Sequence, residues 1–193
     1  MKKIVLLQFL IVLTLPLFSQ FKGTMVFKTM DKERHFDVYF CDAGYRYDFD
    51  EDGQKGSFIA KNGSAEVIML MPQQKMAMKS PAGSAMSMSS DPLKLMENYQ
   101  GNATIKEEGT ETINGIKCTK SVLMNKENPT QKMFTIWFSD KYKFPIKMVN
   151  HIDGSEGSGM EMQDVEPWTP DEKFFEIPDG YQVMGMPGSM PGR

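Results

Sequence analysis

The stretch HFDVYFCDAGYRYDFDEDG, from His35 to Gly53, decides the fold class. Phe36, Val38 and Phe40 alternate with His35, Asp37 and Tyr39. Asp42-Ala43-Gly44 then makes a tight turn, after which Tyr45, Tyr47 and Phe49 alternate with Arg46 and Asp48. Successive side chains of a strand point to opposite faces, so a period of two reads as a half-buried strand. The stretch is therefore two antiparallel strands joined by a turn, with a second turn at Asp50-Glu51-Asp52-Gly53.

The same period extends in both directions. Upstream, Phe21, Gly23, Met25 and Phe27 alternate with Lys22, Thr24, Val26 and Lys28. Downstream, a short strand at 58–61 ends in Asn62-Gly63, a strong hairpin signal. Segments 65–71 and 75–79 pair around Pro72-Gln73-Gln74. Further strands are expected at 103–108, 115–124, 132–139, 145–152 and 160–165, with turns at Asn114-Gly115 and Asp153-Gly154. This predicts a mainly β domain of about ten or eleven strands, mostly linked as hairpins.

A long antiparallel sheet with one apolar face has to cover that face. One helix candidate is placed to do so. Ser90 or Asp91 can cap it, Pro92 suits its first turn, and Leu93, Leu95, Met96 and Tyr99 give it an apolar side before Gly101. The expected arrangement is a curved sheet with this helix, residues 92–99, as a lid over its concave side. A second, shorter helical turn is expected at 169–173.

The ends of the chain read differently from the middle. Lys2 and Lys3 precede an apolar run, 4–18, which ends at the small residue Ser19. That is the pattern of a secretory signal peptide, and it is short for a membrane span of roughly 20 apolar residues. The expected division is a signal peptide at 1–20, one domain at 21–184 and a flexible Gly/Pro-rich tail at 185–193. The expected location is periplasmic or secreted. Without Lys2 and Lys3 the net charge falls from −3 to −5. A mildly acidic chain with no basic patch argues against a nucleic-acid partner.

Reactive residues are sparse. The only histidines are His35 and His151, and neither has a nucleophile or paired acid beside it in sequence. Both read as polar strand positions, and no catalytic residue, enzyme activity or cofactor is expected. Asp48, Asp50 and Asp52 alternate in DFDEDG but lack the downstream glutamate of a calcium loop, so they read as a solvated turn. Cys41 and Cys118 are the only cysteines. In an exported chain they could pair, closing a loop worth roughly 4 kcal/mol in a chain-entropy account. Their strand neighbours argue the other way: Cys118 shares a face with Ile116 and Val122, whereas Cys41 lies opposite Phe36, Val38 and Phe40. The pairing stays open.

Methionine is the unusual component. The chain has 18, and they recur as Met-x-Met at Met69/Met71, Met76/Met78, Met86/Met88, Met160/Met162 and Met184/Met186. In a strand, that spacing puts both thioethers on one face. Three readings follow: ordinary core packing, an adaptable apolar surface, or a Cu(I)/Ag(I) site, since soft thioethers select soft ions. The stretch from Met71 to Asp91, with Met76, Met78, Met86 and Met88, reads better as an adaptable cover, because nothing in the sequence fixes three or four soft ligands together.

The segments GTMVFKTM, GYRYDF, AEVIMLMP, ETINGIKCTKSVL, FTIWFSDKYKFPIKM and FFEIPDGYQVM together resemble a family of exported bacterial proteins. That family is similar to the outer-membrane lipoprotein carrier LolA and its half-barrel relatives. The best markers are Asn114 to Cys118, Trp137-Phe138 leading to Phe144-Pro145, and Phe175 to Tyr181. The resemblance spans 21–184, although 21–30 reads as strand where the carrier has a helix. It implies a half-barrel whose concave face binds an acyl chain, a lipid or an acylated protein, with an envelope protein as a further possible partner.

The expected lining is Met25, Phe27, Phe36, Val38, Met69, Met71, Met76, Met78, Trp137 and Met148, with Leu93 and Met96 of the lid. The alternatives are a Met-rich Cu(I)/Ag(I)-binding protein and a non-catalytic envelope sensor or structural module.

Overall fold

The computed structural model describes residues 20–82, 101–152 and 157–185. Among these residues twelve strands form one sheet. In chain order they are β1 (Phe21–Lys28), β2 (Glu33–Cys41), β3 (Gly44–Glu51), β4 (Gln54–Lys61), β5 (Glu66–Met71), β6 (Met76–Pro81), β7 (Ala103–Ile113), β8 (Ile116–Asn125), β9 (Lys132–Ser139), β10 (Phe144–Asn150), β11 (Gly159–Pro167) and β12 (Gln182–Gly185). Their spatial order is β12-β6-β5-β4-β3-β2-β1-β11-β10-β9-β8-β7. Every neighbouring pair is antiparallel except β12 with β6, which run parallel.

The turns are where their sequences ask for them. Asp52-Gly53 and Asn114-Gly115 take left-handed backbone at both central positions, with φ of 51° and 81° in the first and 47° and 78° in the second. That geometry matches the twist of paired strands, and it favours Asn-Gly and Asp-Gly. At 72–74 the turn is a short 3-10 helix that begins on Pro72 and closes on Lys75 in left-handed conformation.

The expectation of ten or eleven strands is thus low by one or two. The added strand is β12, which holds Met184 and Gly185 and so reaches one residue into the segment expected to be a flexible tail. The second helical turn lies at Glu172–Phe175, where the Asp171 carboxylate accepts from the Lys173 amide. The lid helix at 92–99, the proposed signal peptide through Ser19 and the tail from Met186 lie outside the described residues.

Register divides the sheet into two faces. One, called the front face here, carries a row that crosses six strands through directly paired residues: Met78, Met69, Phe58, Tyr47, Val38 and Gly23. A second front row runs Phe27, Met160, Met148 and Ile136 from β1 to β9. Phe58, Tyr47 and Val38 of the first row and all four residues of the second belong to the larger hydrophobic cluster or pack against it. The pairing is thinnest between β10 and β11, with only Lys147, Val149 and the Met148 between them in register. Beyond that seam the sheet folds over. Tyr142 and Phe144, from the β9–β10 end, pack their rings 5.2 and 5.4 Å from that of Phe21, although β11 stands between β10 and β1.

The back face has its own smaller cluster of Cys41, Ile59, Leu70, Ala77 and Phe175, with Trp168, Phe174, Ile177 and Tyr181 packed against it. The chain between β11 and β12 supplies this cover. It crosses from the middle of the sheet to its far edge, where the Gln182 amide donates to the Lys75 carbonyl at 2.8 Å and starts β12.

Candidate functional site

Nine of the expected lining residues share the front face. Met25 pairs with Phe36, Gly23 with Val38, Met69 with Met78, and Met71 with Met76. Phe27 and Met148 join through Met160. Met25, Val38 and Met148 are buried, whereas Phe27, Phe36, Met69, Met71, Met76 and Met78 are half-buried. The face therefore has a filled centre and a partly accessible apolar rim.

Trp137 packs against the larger cluster but does not share their face. It pairs with Lys120 on one side and Lys147 on the other, and lies on the back face. Both ammonium groups stand over its ring, at 5.5 and 5.7 Å, and its indole N–H donates to Glu111 at 2.7 Å. The cause is a bulge. β10 has one residue more than β9 between the Pro145–Phe138 and Lys147–Trp137 pairs. Without that extra residue, Met148 would pair with Thr135 and share the face of Trp137; with it, Met148 pairs with Ile136 and the two part. Leu93 and Met96 lie outside the described residues.

Sequence reasoning left out much of the centre. Phe21, Phe58, Phe134, Ile136, Met160 and Met162 are buried in the larger cluster. Their signal was the period of two, already visible in each strand; what was missing was which strands become neighbours. Met184 was missed too. It pairs with Met78, which places it beside the Met-x-Met pairs of β5 and β6. Its signal was its own Met184/Met186 spacing.

The disulfide is not formed. Cys41 and Cys118 are both buried and free. They sit in different clusters, and β1, β11, β10 and β9 separate their strands in the sheet, whereas a bridge needs Cα atoms within about 7 Å. Burial raises the Cys118 thiol above its ordinary value, which keeps it protonated and a poor nucleophile.

A polar cleft of about 490 Å³ opens on the back face between β2, β3 and β4. Its one arginine is fully engaged. Arg46 grips Asp48 through two nitrogens, at 2.7 and 3.2 Å, donates to Ser57 Oγ at 2.9 Å and to the Phe174 carbonyl at 3.1 Å, and stacks on the Phe174 ring. Asp50 accepts from the Gly53 amide at 3.2 Å. His35 points to Glu33, and His151 shares a 2.8 Å hydrogen bond with Thr135. No nucleophile, base and orienting group converge here, as acyl transfer would need. Among the described residues no three His, Cys, Asp or Glu side chains gather as a metal site, and no helix is long and apolar enough to cross a membrane.

No protein-family model and no curated protein matches the chain. Solved structures do. An uncharacterized conserved protein from Thermus thermophilus superposes with a TM-score of 0.58 at 13% identity, over 86% of this chain and 90% of that one. The MucA/MucB complex of Pseudomonas aeruginosa gives 0.53 at 12%, over 86% of this chain and 58% of the matched chain, so this chain spans less than two thirds of that one. A LolA superfamily protein from Nitrosomonas europaea gives 0.39 at 10%, over 84% and 91%. At such identities the likeness is one of fold: this sheet is built like those of MucB and the Thermus protein.

Proposed function

We propose that the front face receives an apolar ligand, an acyl chain, a lipid or an acylated protein, in the cell envelope, and that the protein carries or senses it without catalysing a reaction. The observation that supports this best is the contrast between rim and patch. The front face keeps half-buried Phe27, Phe36, Phe49, Met69 and Met71 around a buried aromatic centre, whereas the apolar patch on the back is sealed by the chain's own Phe174 and Phe175. Unbranched methionine suits a rim that has to fit varied apolar shapes. The basic start and apolar run of residues 2–18 support export. The MucB fold match comes from a structure that also contains MucA, which makes a protein partner a natural form of the cargo.

The test is solvent extraction of freshly purified exported protein, with mass spectrometry of the extract, alongside titration with a fluorescent apolar probe. Saturable probe binding and a co-purified lipid are expected. Phe36→Glu on the rim should abolish probe binding while leaving the circular dichroism unchanged. Replacing Met76 and Met78 with leucine, which keeps the apolar character, should preserve it. A face already filled by the chain would give neither extractable lipid nor saturable probe binding, and that result would favour a sensory or structural module.

A further inference from the structure

The sheet does what the sequence alone could not: it brings separated Met-x-Met pairs together. Met69 and Met78 are direct partners across β5 and β6, and so are Met71 and Met76. On the other side of β6, Met184 of β12 is the partner of Met78. Paired residues of neighbouring strands present their side chains on the same face. Three thioether side chains thus stand abreast as Met69, Met78 and Met184, with Met71 and Met76 forming the row behind. The 3-10 turn at 72–74 fixes the second row, because it joins Met71 to Met76 directly. The first row is fixed by the strap that seals the back face, since that strap delivers β12 to the edge of β6.

These methionines are not core filler. Met25, Met148, Met160 and Met162, which do fill the core, are 6%, 6%, 3% and 0% exposed. Met69, Met71, Met76 and Met78 are half-buried, and Met184 is 37% exposed. Filling a cavity does not need five accessible thioethers in register at one sheet edge.

We propose that this edge binds a soft monovalent ion, Cu(I) or Ag(I), through the sulfurs of Met69, Met78 and Met184, with Met71 and Met76 as the supporting row. The spacing suits it. Neighbouring strands lie about 4.8 Å apart, and an ion held between two sulfurs at about 2.3 Å each spans about 4.6 Å, taking the zinc–sulfur length as a guide. Met78, in the middle, reaches both flanks. The donor set excludes hard ions: thioethers are soft and uncharged, and they select Cu(I) over calcium or magnesium. The site shares Met69, Met71, Met76 and Met78 with the apolar-ligand reading, and the two are told apart by their probes: the ion needs sulfur, the apolar ligand only apolar surface.

The experiment uses the mature protein with methyl-labelled methionine and Ag(I), the redox-stable stand-in for Cu(I). One equivalent should shift the methyl resonances of Met69, Met78 and Met184, each assigned by its leucine variant, and leave that of Met30 in place. Met30 is 72% exposed and outside the row, so it reports non-specific association. In competition with a colorimetric chelator, Met78→Leu should weaken binding by at least about tenfold, the lower end of what even outer partners of metal ligands are worth. Met30→Leu should not weaken it. Thioethers carry no proton to lose, so affinity should stay flat from about pH 7 to about pH 5, where a histidine or thiol site would weaken.

Three results would overturn the proposal: unmoved methyls in the row, equal binding by wild type and Met78→Leu, or affinity that falls with acid and so assigns the ion to His35, His151 or a cysteine. A variant that melts well below the wild type would be replaced by Met184→Leu, which sits at an exposed edge and is expected to lose affinity without loss of fold. Apolar-probe binding is read on the wild-type protein without Ag(I), so failure here leaves the apolar-ligand proposal standing.

Discussion

The two faces of this sheet solve the same problem differently. Each carries an apolar patch that water would penalise. On the back, Cys41, Ile59, Leu70 and Ala77 are covered by a strap of the same chain, and the strap is locked by a polar device, Arg46, which holds Asp48, Ser57 and the Phe174 carbonyl together. On the front, a much larger cluster is assembled by folding the sheet on itself at the thin β10–β11 seam, so that Phe21 meets Tyr142 and Phe144. The lesson is that the permanent cover is pinned by directional bonds, whereas the front rim, the surface proposed to bind a ligand, is built from side chains that can shift. Methionine and phenylalanine side chains on the front rim make no hydrogen bond that has to break when something else arrives.

That contrast is tested most severely by comparing one buried ring from each face. Phe21 is fully buried and touches the rings of Phe40, Tyr142 and Phe144. Phe21→Ala should cost about 3–5 kcal/mol in denaturant unfolding, the range for large aromatic truncations. Phe175→Ala, at 3% exposure in the small back cluster, should cost less in global unfolding. It should instead raise hydrogen exchange in β12, because the strap can open by itself. Equal global costs, with no local opening, would mean that both faces belong to one cooperative core and that the contrast is wrong.

The next effect concerns the pin. Arg46→Met removes a charge that makes four hydrogen bonds and leaves Asp48, with a 31% exposed side chain, without its partner. Hydrogen bonds to charged groups are worth about 1.5–3 kcal/mol, so a loss of about 2 kcal/mol is expected. Arg46→Lys should recover little of it, because lysine has neither the planar fork that grips both Asp48 oxygens nor the flat surface that stacks on Phe174. Full recovery by lysine would show that only net charge matters at the strap.

How far these features could be read in advance depends on whether they are local. The hairpin of β2 and β3 was legible as two alternating strands and a turn, but one residue out: Gly44 read as part of the turn, whereas it begins β3 and pairs with Cys41, which sets Phe40 opposite Tyr45 and Val38 opposite Tyr47. The front-face placement of Met69, Met71, Met76 and Met78 was legible from the same kind of alternation. Trp137 was not, because its face relative to Met148 turns on a single bulged residue at Ile146, which leaves no mark in the pattern of apolar positions. Met184 was not either. Its segment is rich in Gly and Pro and reads as a tail, and only the strap's packing against the back face brings it beside Met78. The soft-ion row was hidden for that reason: its three members come from β5, β6 and β12, and no local pattern links the first two to the third.

The smallest expected effect sharpens the contrast by asking whether a polar contact alone can hold a cover. The β7–β8 turn reaches β11, three places from β8 in the sheet order. There the Asn114 amide donates to Glu161 at 3.0 Å and to the Met162 carbonyl at 2.9 Å. Glu161 also pairs with Lys147 at 2.8 Å. The Lys147 contact first, with Asn114 adding to it, holds the Glu161 carboxyl below its ordinary value against the opposing effect of burial. A carboxyl depressed in the folded state contributes stability that is complete above its unfolded value of about 4.3 and is lost as the pH falls through the lower folded value. Wild-type stability should therefore decline below about pH 4, and Glu161→Gln should remove its share of that decline. Both side chains of the ion pair are about a third exposed, so the difference at neutral pH should be no more than about 1 kcal/mol. Unlike the strap, this turn adds no ring to the back-face cluster. A Glu161→Gln loss as large as that of Arg46→Met would mean that the polar contact, and not the packed rings beside it, is what keeps a cover closed.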